Sequence, residues 1–161
     1  MRKTNAMRIL DNAGIAYTFK EYEAEDGDHL GARAAAFLGM PCERVFKTLV
    51  LKGTKEGHFV CCVPVDRELD LKKVALAAGE KKVEMLPVRD LQKITGYVRG
   101  GCSPVGMKKK FPVFVDRSAL SFGEIAVNAG TRGLQVLLAP EDLRAVASAS
   151  FADLTGREEE S

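Results

Sequence analysis

Lys47 lies inside the apolar run VFKTLVL at residues 45–51, which the pattern predicts to be a β-strand. Burying an ammonium group costs free energy unless the group is paired or faces a site. In strict alternation, the Lys47 side chain points away from the face that carries Phe46 and Thr48. Two interpretations stay open here: a reactive lysine in a pocket, or a lysine whose stem covers the solvent face of an edge strand.

A glycine-rich segment, GYVRGGCSPVG at residues 96–106, is the second candidate for chemistry. Clustered glycines let a backbone approach a ligand closely, and the exposed N–H groups can hold a phosphate or a developing oxyanion. The spacing excludes a P-loop and a dinucleotide-binding fingerprint. A plain tight turn is the alternative. Cys102 lies in this segment, but no histidine close in sequence would activate its thiol.

Two further segments could contact a polyanion. In NAGTRG at residues 128–133, Arg132 could pair with a phosphate, although a surface arginine on a hairpin turn is the alternative. The run Lys108, Lys109 and Lys110 directly follows the glycine-rich segment, where an RNA backbone could lie. A solvated basic face is the alternative there.

Composition limits the function classes. The 161 residues are 46% hydrophobic and 29% charged, which indicates one globular domain spanning residues 1–161. Residues 42–110 carry 15 Lys and Arg against 8 Asp and Glu, so this part is basic and the remainder acidic. With two separated histidines and no C-x-x-C pair, we expect no metal site and no cofactor. Without a signal peptide or a long apolar span, we expect a cytoplasmic protein that binds neither membrane nor DNA.

The positioning elements follow from periodicity and from capping and turn residues. Thr4 is expected to cap a first helix, and an acidic loop is expected at residues 23–28. Cys61 and Cys62 should point to opposite faces of their strand. Residues 95–106 are expected to form an ordered loop, and a frayed acidic tail begins at about residue 156. Further helices are predicted at 30–38, 71–78, 87–94 and 140–149, and strands at 15–22, 45–52, 58–65, 82–86, 112–115, 124–128 and 134–138.

Taken together, several blocks resemble the YbaK/EbsC family of prolyl-tRNA editing-type domains. These blocks are KTL at 47–49, LDLKKV at 69–74, KKVEM at 81–85, TGY at 95–97, GGCSPVG at 100–106 and RG at 132–133. Their order and spacing cover nearly the whole chain, from about residue 6 to residue 154. The resemblance implies a mixed α/β fold, a compact mixed β-barrel surrounded by helices. It also implies removal of a wrong amino acid from tRNA, with Cys-tRNA(Pro) as the usual substrate.

For mechanism, the resemblance implies that Lys47 is the essential residue, which anchors and polarises the aminoacyl ester or the terminal adenosine. The backbone of the glycine-rich segment would bind the aminoacyl group. The substrate's own thiol, or a water molecule, would attack the ester. The expected substrate-binding residues are Tyr22, Leu30, Thr48, Gly100, Gly101, Cys102, Ser103, Pro104, Gly106, Asn128, Gly130 and Arg132.

Three positions depart from the family pattern, and they concern amino-acid specificity. Leu30 stands where a family branch has Phe, Asn128 replaces Ser, and Gln135 replaces Asp. Mischarged tRNA is the expected partner, and docking on prolyl-tRNA synthetase is a further expectation. A non-catalytic module that binds aminoacyl-tRNA or a nucleotide in the same pocket is the alternative function.

Overall fold

A computed structural model of the chain describes residues 2–23, 30–55 and 57–158, with the side chains of residues 157 and 158 left aside. Its helices are α1 Asn5–Asn12, α2 Leu30–Leu38, α3 Leu71–Ala78, α4 Val88–Thr95 and α5 Pro140–Ala147. Its strands are β1 Thr18–Glu21, β2 Phe46–Gly53, β3 His58–Pro64, β4 Arg67–Leu69, β5 Val83–Met85, β6 Val113–Asp116, β7 Ile125–Asn128, β8 Leu134–Leu138, β9 Ser150–Ala152 and β10 Thr155–Glu158.

Local capping determines several helix ends. The Thr4 hydroxyl accepts a hydrogen bond from the Met7 N–H and begins α1, as the sequence predicts. Asp70 accepts from the backbone N–H groups of Lys72 and Lys73 at the start of α3. Gly79 ends that helix with a φ of 70°, in the left-handed region that glycine adopts without strain. These ends are determined by neighbouring residues, so the sequence predicts them well.

The strands of the described residues form three sheets. A five-stranded mixed sheet has the order β5-β2-β3-β6-β9, and a three-stranded antiparallel sheet has the order β1-β8-β7. A parallel bridge between Val45 and Ala126 joins these two sheets, and β4 pairs with β10 in a third. The predicted mixed α/β class is confirmed, and within it the strands divide into separately hydrogen-bonded sheets.

The strands predicted at 45–52 and 58–65 are confirmed as β2 and β3, and they pair in antiparallel register, with Lys47 opposite Val63 and Thr48 opposite Cys62. Cys61 and Cys62 do point to opposite faces, because Cys61 packs with the α3 side of the sheet and Cys62 with the central core. The central core fills the space between the two larger sheets, where Val60 and Val136 are buried.

Some boundaries and short strands differ from the sequence prediction. The first strand covers only residues 18–21 of the predicted 15–22, and β4 and β9 were not predicted. The expectation of a tail frayed from about residue 156 is wrong up to residue 158, because Thr155 pairs with Leu69 and Glu158 with Arg67. These strands have three or four residues, too few for a periodic signal. The predicted acidic loop at 23–28 lies outside the described residues, apart from Glu23.

Helix α2 packs closely on the end of β3. Of its buried residues, Ala35 and Leu38 pack in a small core with Val45 and Val65. A Cβ atom at Gly31 would come within 2.6 Å of Val65 Cγ1, so glycine permits this approach. No helix of the described residues has the length and apolar character needed to cross a membrane.

We predict that Gly31→Ala lowers the free energy of unfolding by about 1–3 kcal/mol through the steric conflict with Val65. Alanine has a higher helix propensity than glycine, by about 1 kcal/mol. A lower free energy of unfolding must therefore come from the contact with Val65. Chemical denaturation of Gly31→Ala, Val65→Ala and the double variant measures this. If the double variant loses as much free energy of unfolding as the two single variants together, the steric conflict between the two residues is disproved.

Candidate functional site

A cavity of about 500 Å³ opens between α2, the edge of β2, the segment 85–91, the glycine-rich segment and the turn from β7 to β8. Of the described residues, those that line it are Tyr22, Glu23, Leu30, Gly31, Ala32, Arg33, Ala34, Phe37, Val45, Phe46, Lys47, Thr48, Leu49, Val50, Val65, Met85, Leu86, Val88, Leu91, Arg99, Gly100, Cys102, Asn128, Arg132, Gly133 and Gln135. Its size suits a small ligand or the end of a larger one.

The cavity exists because β2 is only partly covered along one edge. That edge pairs with β5 from Leu51 to Gly53, and the chain meets β7 through Val45 at the other end. Consecutive residues 46–50 line the cavity, so it meets the strand edge-on and receives side chains from both faces. The Leu86 N–H donates to the Val50 carbonyl and closes one end of the opening.

Lys47 is half-buried on this edge and lines the cavity, whereas its neighbour Phe46 is buried in the central core. The prediction that the two side chains point to opposite faces agrees with this burial. Thr48 also lines the cavity, and its hydroxyl lies 3.9 Å from the Cys62 sulfur in a weak hydrogen bond. Lys47 therefore lies at a ligand-sized opening, on a strand that pairs with β3 along its whole length but is only partly covered at its other edge.

Asn128 connects the glycine-rich segment to the turn from β7 to β8. Its side-chain amide donates to the carbonyls of Gly100 and Thr131, at 3.0 Å each. Its carbonyl oxygen accepts from the Gly130 N–H at 2.6 Å. Three hydrogen bonds from one buried side chain fix two loops relative to each other, and so fix this wall of the cavity.

Arg132 makes a second link between the same two loops, because its Nε donates to the Arg99 carbonyl at 2.9 Å. A Cβ atom at Gly101 would lie 3.0 Å from the backbone nitrogen of Arg132, so the loops touch backbone to backbone. The Gly101 N–H donates to the Val98 carbonyl at 2.9 Å. That N–H is occupied inside the loop, and a role for Gly101 in binding the ligand stays a prediction.

The structure thus brings eight of the predicted substrate-site residues to one cavity: Tyr22, Leu30, Lys47, Thr48, Gly100, Cys102, Asn128 and Arg132. Other predicted residues lie beside it, outside the described lining: Gly101, Ser103, Pro104, Gly106 and Gly130. Lys108, Lys109 and Lys110 are exposed and also lie outside the lining. A role for these residues in binding RNA stays a prediction.

The residues beside the cavity support it through Tyr97. The Tyr97 hydroxyl donates to the Val105 carbonyl at 2.7 Å, and burial raises the pKa of Tyr97 to about 12. Gly106 and Gly130 leave room for that ring, since an added Cβ would lie about 3 Å from it, at 2.9 Å and 3.1 Å respectively. The buried Ser103 hydroxyl accepts from the Val105 N–H within its own loop. These residues hold the shape of the loop.

Cys102 lines the cavity, but its thiol is protonated at neutral pH. Burial raises the pKa of Cys102 to about 12, and a hydrogen bond with Thr95 only partly offsets this. A thiol with so high a pKa is a poor nucleophile. Within the described residues no group of three metal-ligating side chains is present.

The charged groups of the described lining are mostly cationic. Arg33, Arg99 and Arg132 accompany Lys47, while Glu23 is the acidic residue of the described lining. Such a surface attracts a ligand that carries phosphate groups. Arg33 was not predicted as a site residue, because the sequence pattern of a helix does not show which of its faces meets a cavity.

Gln135 stands where the family resemblance implies Asp, and in this structure its side-chain amide bonds to Tyr22. Gln135 is buried, and its Nε2 donates to the Tyr22 hydroxyl at 3.2 Å. Its Oε1 has no hydrogen-bond partner in the described part of the chain. A buried acceptor without a partner costs free energy, so a donor from a ligand or a water molecule would stabilise this wall.

Comparisons with known proteins find relatives over nearly the whole chain. The Enterococcus faecalis protein EbsC, which bears the name of a Cys-tRNA(Pro)/Cys-tRNA(Cys) deacylase, is 49% identical over 98% of this chain and 96% of its own length. Proline–tRNA ligase of Fervidobacterium nodosum is 36% identical over 46% of this chain, a match that spans 13% of the ligase.

A similar fold is seen in a crystal structure that bears the name of a trans-editing enzyme for prolyl-tRNA synthetase. It matches 97% of this chain and 100% of its own with a TM-score of 0.81, at 24% identity. The family model for the aminoacyl-tRNA editing domain matches residues 25–146. The resemblance inferred from the sequence is confirmed, and the chain belongs to the aminoacyl-tRNA editing domain family.

Proposed function

We propose that this protein is a trans-acting aminoacyl-tRNA deacylase that clears mischarged tRNA. The substrate is Cys-tRNA(Pro) or a tRNA that carries a similar small amino acid. The observation that carries the proposal is the position of Lys47 at the β2 edge, across a cavity whose other wall contains Gly100, Asn128 and Arg132. The similarity to EbsC over nearly the whole length of both chains supports the substrate class.

In the mechanism we infer, Lys47 holds and polarises the aminoacyl ester or the terminal ribose. A fixed positive charge stabilises the negative charge that develops on the carbonyl oxygen as the ester is attacked. The backbone of Gly100 and Cys102 borders the same space and contributes to binding the aminoacyl group. Arg99 and Arg132 favour the phosphates next to the terminal nucleotide.

The attacking group comes from the substrate or from water. With a cysteinyl ester, the substrate sulfur bonds to its own carbonyl carbon, the bond from that carbon to the ribose oxygen breaks, and the thiol proton passes to that oxygen. The products are a thiolactone and deacylated tRNA. Such an intramolecular attack needs mainly orientation. With water, the products are the free amino acid and deacylated tRNA.

This route matches the side chains at the site. The Cys102 thiol is protonated, and the described lining contains no histidine that could act as a base. Orientation and charge stabilisation by Lys47 are what the cavity can supply. We further infer that the protein acts in the cytoplasm, where aminoacyl-tRNA is used, and that it docks on prolyl-tRNA synthetase to receive its substrate.

A panel of mischarged tRNAs tests the proposal. We expect release of Cys from tRNA(Pro) to be fastest, with Ala and Ser esters as the comparison, and Pro-tRNA(Pro) to survive. Loss of radiolabelled amino acid from each tRNA gives the rates. If every ester survives while the tRNA still binds, the protein is the non-catalytic binding module instead.

Lys47→Ala tests the lysine directly. We predict a fall in the deacylation rate of about 100- to 1,000-fold, because the variant removes a fixed stabilising charge from the site. The matched control is Lys52→Ala, which removes an exposed lysine from the same strand. Circular dichroism and thermal melting check folding. Near-normal turnover by a folded Lys47→Ala protein would remove Lys47 from the mechanism.

Neutralising the exposed run Lys108, Lys109 and Lys110 to glutamine tests the RNA contact. We predict that the variant binds tRNA more weakly. The slope of the logarithm of the binding constant against the logarithm of the salt concentration should become shallower, by up to about 0.7–0.9 for each phosphate that the run neutralises in the native protein. The control variant neutralises three other exposed lysines, Lys52, Lys55 and Lys72, for the same change in net charge. Equal slopes in the two variants would mean that the run is a solvated face.

A further inference from the structure

Tyr22 is fixed on the cavity wall from three directions. Its backbone N–H donates to the Gly133 carbonyl at 2.9 Å, which extends the pairing of β1 with β8. Its hydroxyl accepts from the amide of Gln135. Its ring stacks on Phe37. The ring plane of Tyr22 is therefore set by the sheet, and it defines the orientation of its aromatic neighbour.

Phe37 lies parallel to Tyr22 but is far from buried. The ring centroids are 5.6 Å apart and the planes differ by 13°, so the rings are offset and overlap only in part. Phe37 remains 53% exposed while it lines the cavity. A phenylalanine held flat and half in solvent presents an aromatic surface that another planar group can cover.

The helix places a cation beside this surface. Arg33 and Phe37 are four residues apart on α2, so they lie on the same face, and both line the cavity. Arg99 and Arg132 lie on another wall of the same cavity. A ligand that stacks on Phe37 would carry its charged part among arginines, and this position favours an anion.

We propose that Phe37, supported by Tyr22, is the platform on which a nucleobase at the 3′ end of the tRNA stacks, while Arg33 faces the adjoining phosphate. Every base has a π-face, so stacking recognises a base without reading its sequence. The cations and the flat ring together favour a nucleotide over an apolar protein segment, which would not need the arginines. This inference rests on the proposed function, since it names the part of the tRNA that the cavity holds.

The absence of tryptophan from the chain makes a direct binding test possible. Phe37→Trp introduces a single indole at the platform, and Leu76→Trp places one on α3, at a residue 84% exposed and outside the cavity lining. We expect adenosine 5′-monophosphate, and an oligonucleotide ending in CCA, to quench Phe37→Trp fluorescence in a saturable manner. Ribose 5-phosphate, which lacks the base, should quench it far less, and Leu76→Trp should not respond.

Equal quenching by ribose 5-phosphate would show a phosphate site without base stacking, and it would overturn the proposal. No response of Phe37→Trp to any of the three ligands would overturn it as well. Circular dichroism and thermal melting of both tryptophan variants confirm that they are folded.

Kinetics give an independent measurement. We expect Phe37→Ala to raise the KM for aminoacyl-tRNA about 5- to 100-fold with a much smaller change in kcat, and Phe37→Tyr to restore it. An unchanged KM in Phe37→Ala overturns the platform. The two proposals fail separately: deacylation without quenching removes the platform only, whereas saturable quenching without deacylation removes the enzyme and keeps the nucleotide site.

Discussion

The incomplete pairing of β2 is the constraint on which the site depends. This strand pairs with β3 along its whole length, but its other edge meets β5 near one end and β7 through the Val45–Ala126 bridge at the other. Between these contacts the edge faces a cavity. A lysine there can be held rigidly and still reach a ligand, because β3 supplies the hydrogen bonds that fix the strand.

The remaining walls depend on close backbone approaches and on a few buried polar side chains. Gly31 lets α2 rest on Val65, and Asn128 ties Gly100 to the turn that follows β7. A buried amide that satisfies three backbone groups specifies one arrangement of two loops. The cavity is thus already shaped in the protein without ligand, which lowers the entropic cost of orienting a substrate.

The chemistry that fits this cavity is orientation with charge stabilisation. Burial keeps the Cys102 thiol protonated, and cations outnumber anions among the charged residues of the described lining. Such a site suits an ester whose own side chain, or a bound water, performs the attack. The exposed aromatic surface of Phe37 adds a place for the flat part of a nucleotide, next to the cations that suit its phosphate.

The sequence by itself determined the longer elements, including the strands that become β2 and β3, the cap at Thr4 and the family, because these depend on neighbouring residues and on ordered motifs. The sequence also identified Lys47 and the glycine-rich segment as candidates for the site. Local pattern alone left open whether each was part of a site or an ordinary surface feature. Only the tertiary structure decided that Phe37 and Arg33 face the cavity, that the Gly101 N–H is occupied within its loop, and that residues 155–158 pair with β4. Those features depend on which distant segments meet, and that is decided by packing across the whole fold rather than by local periodicity.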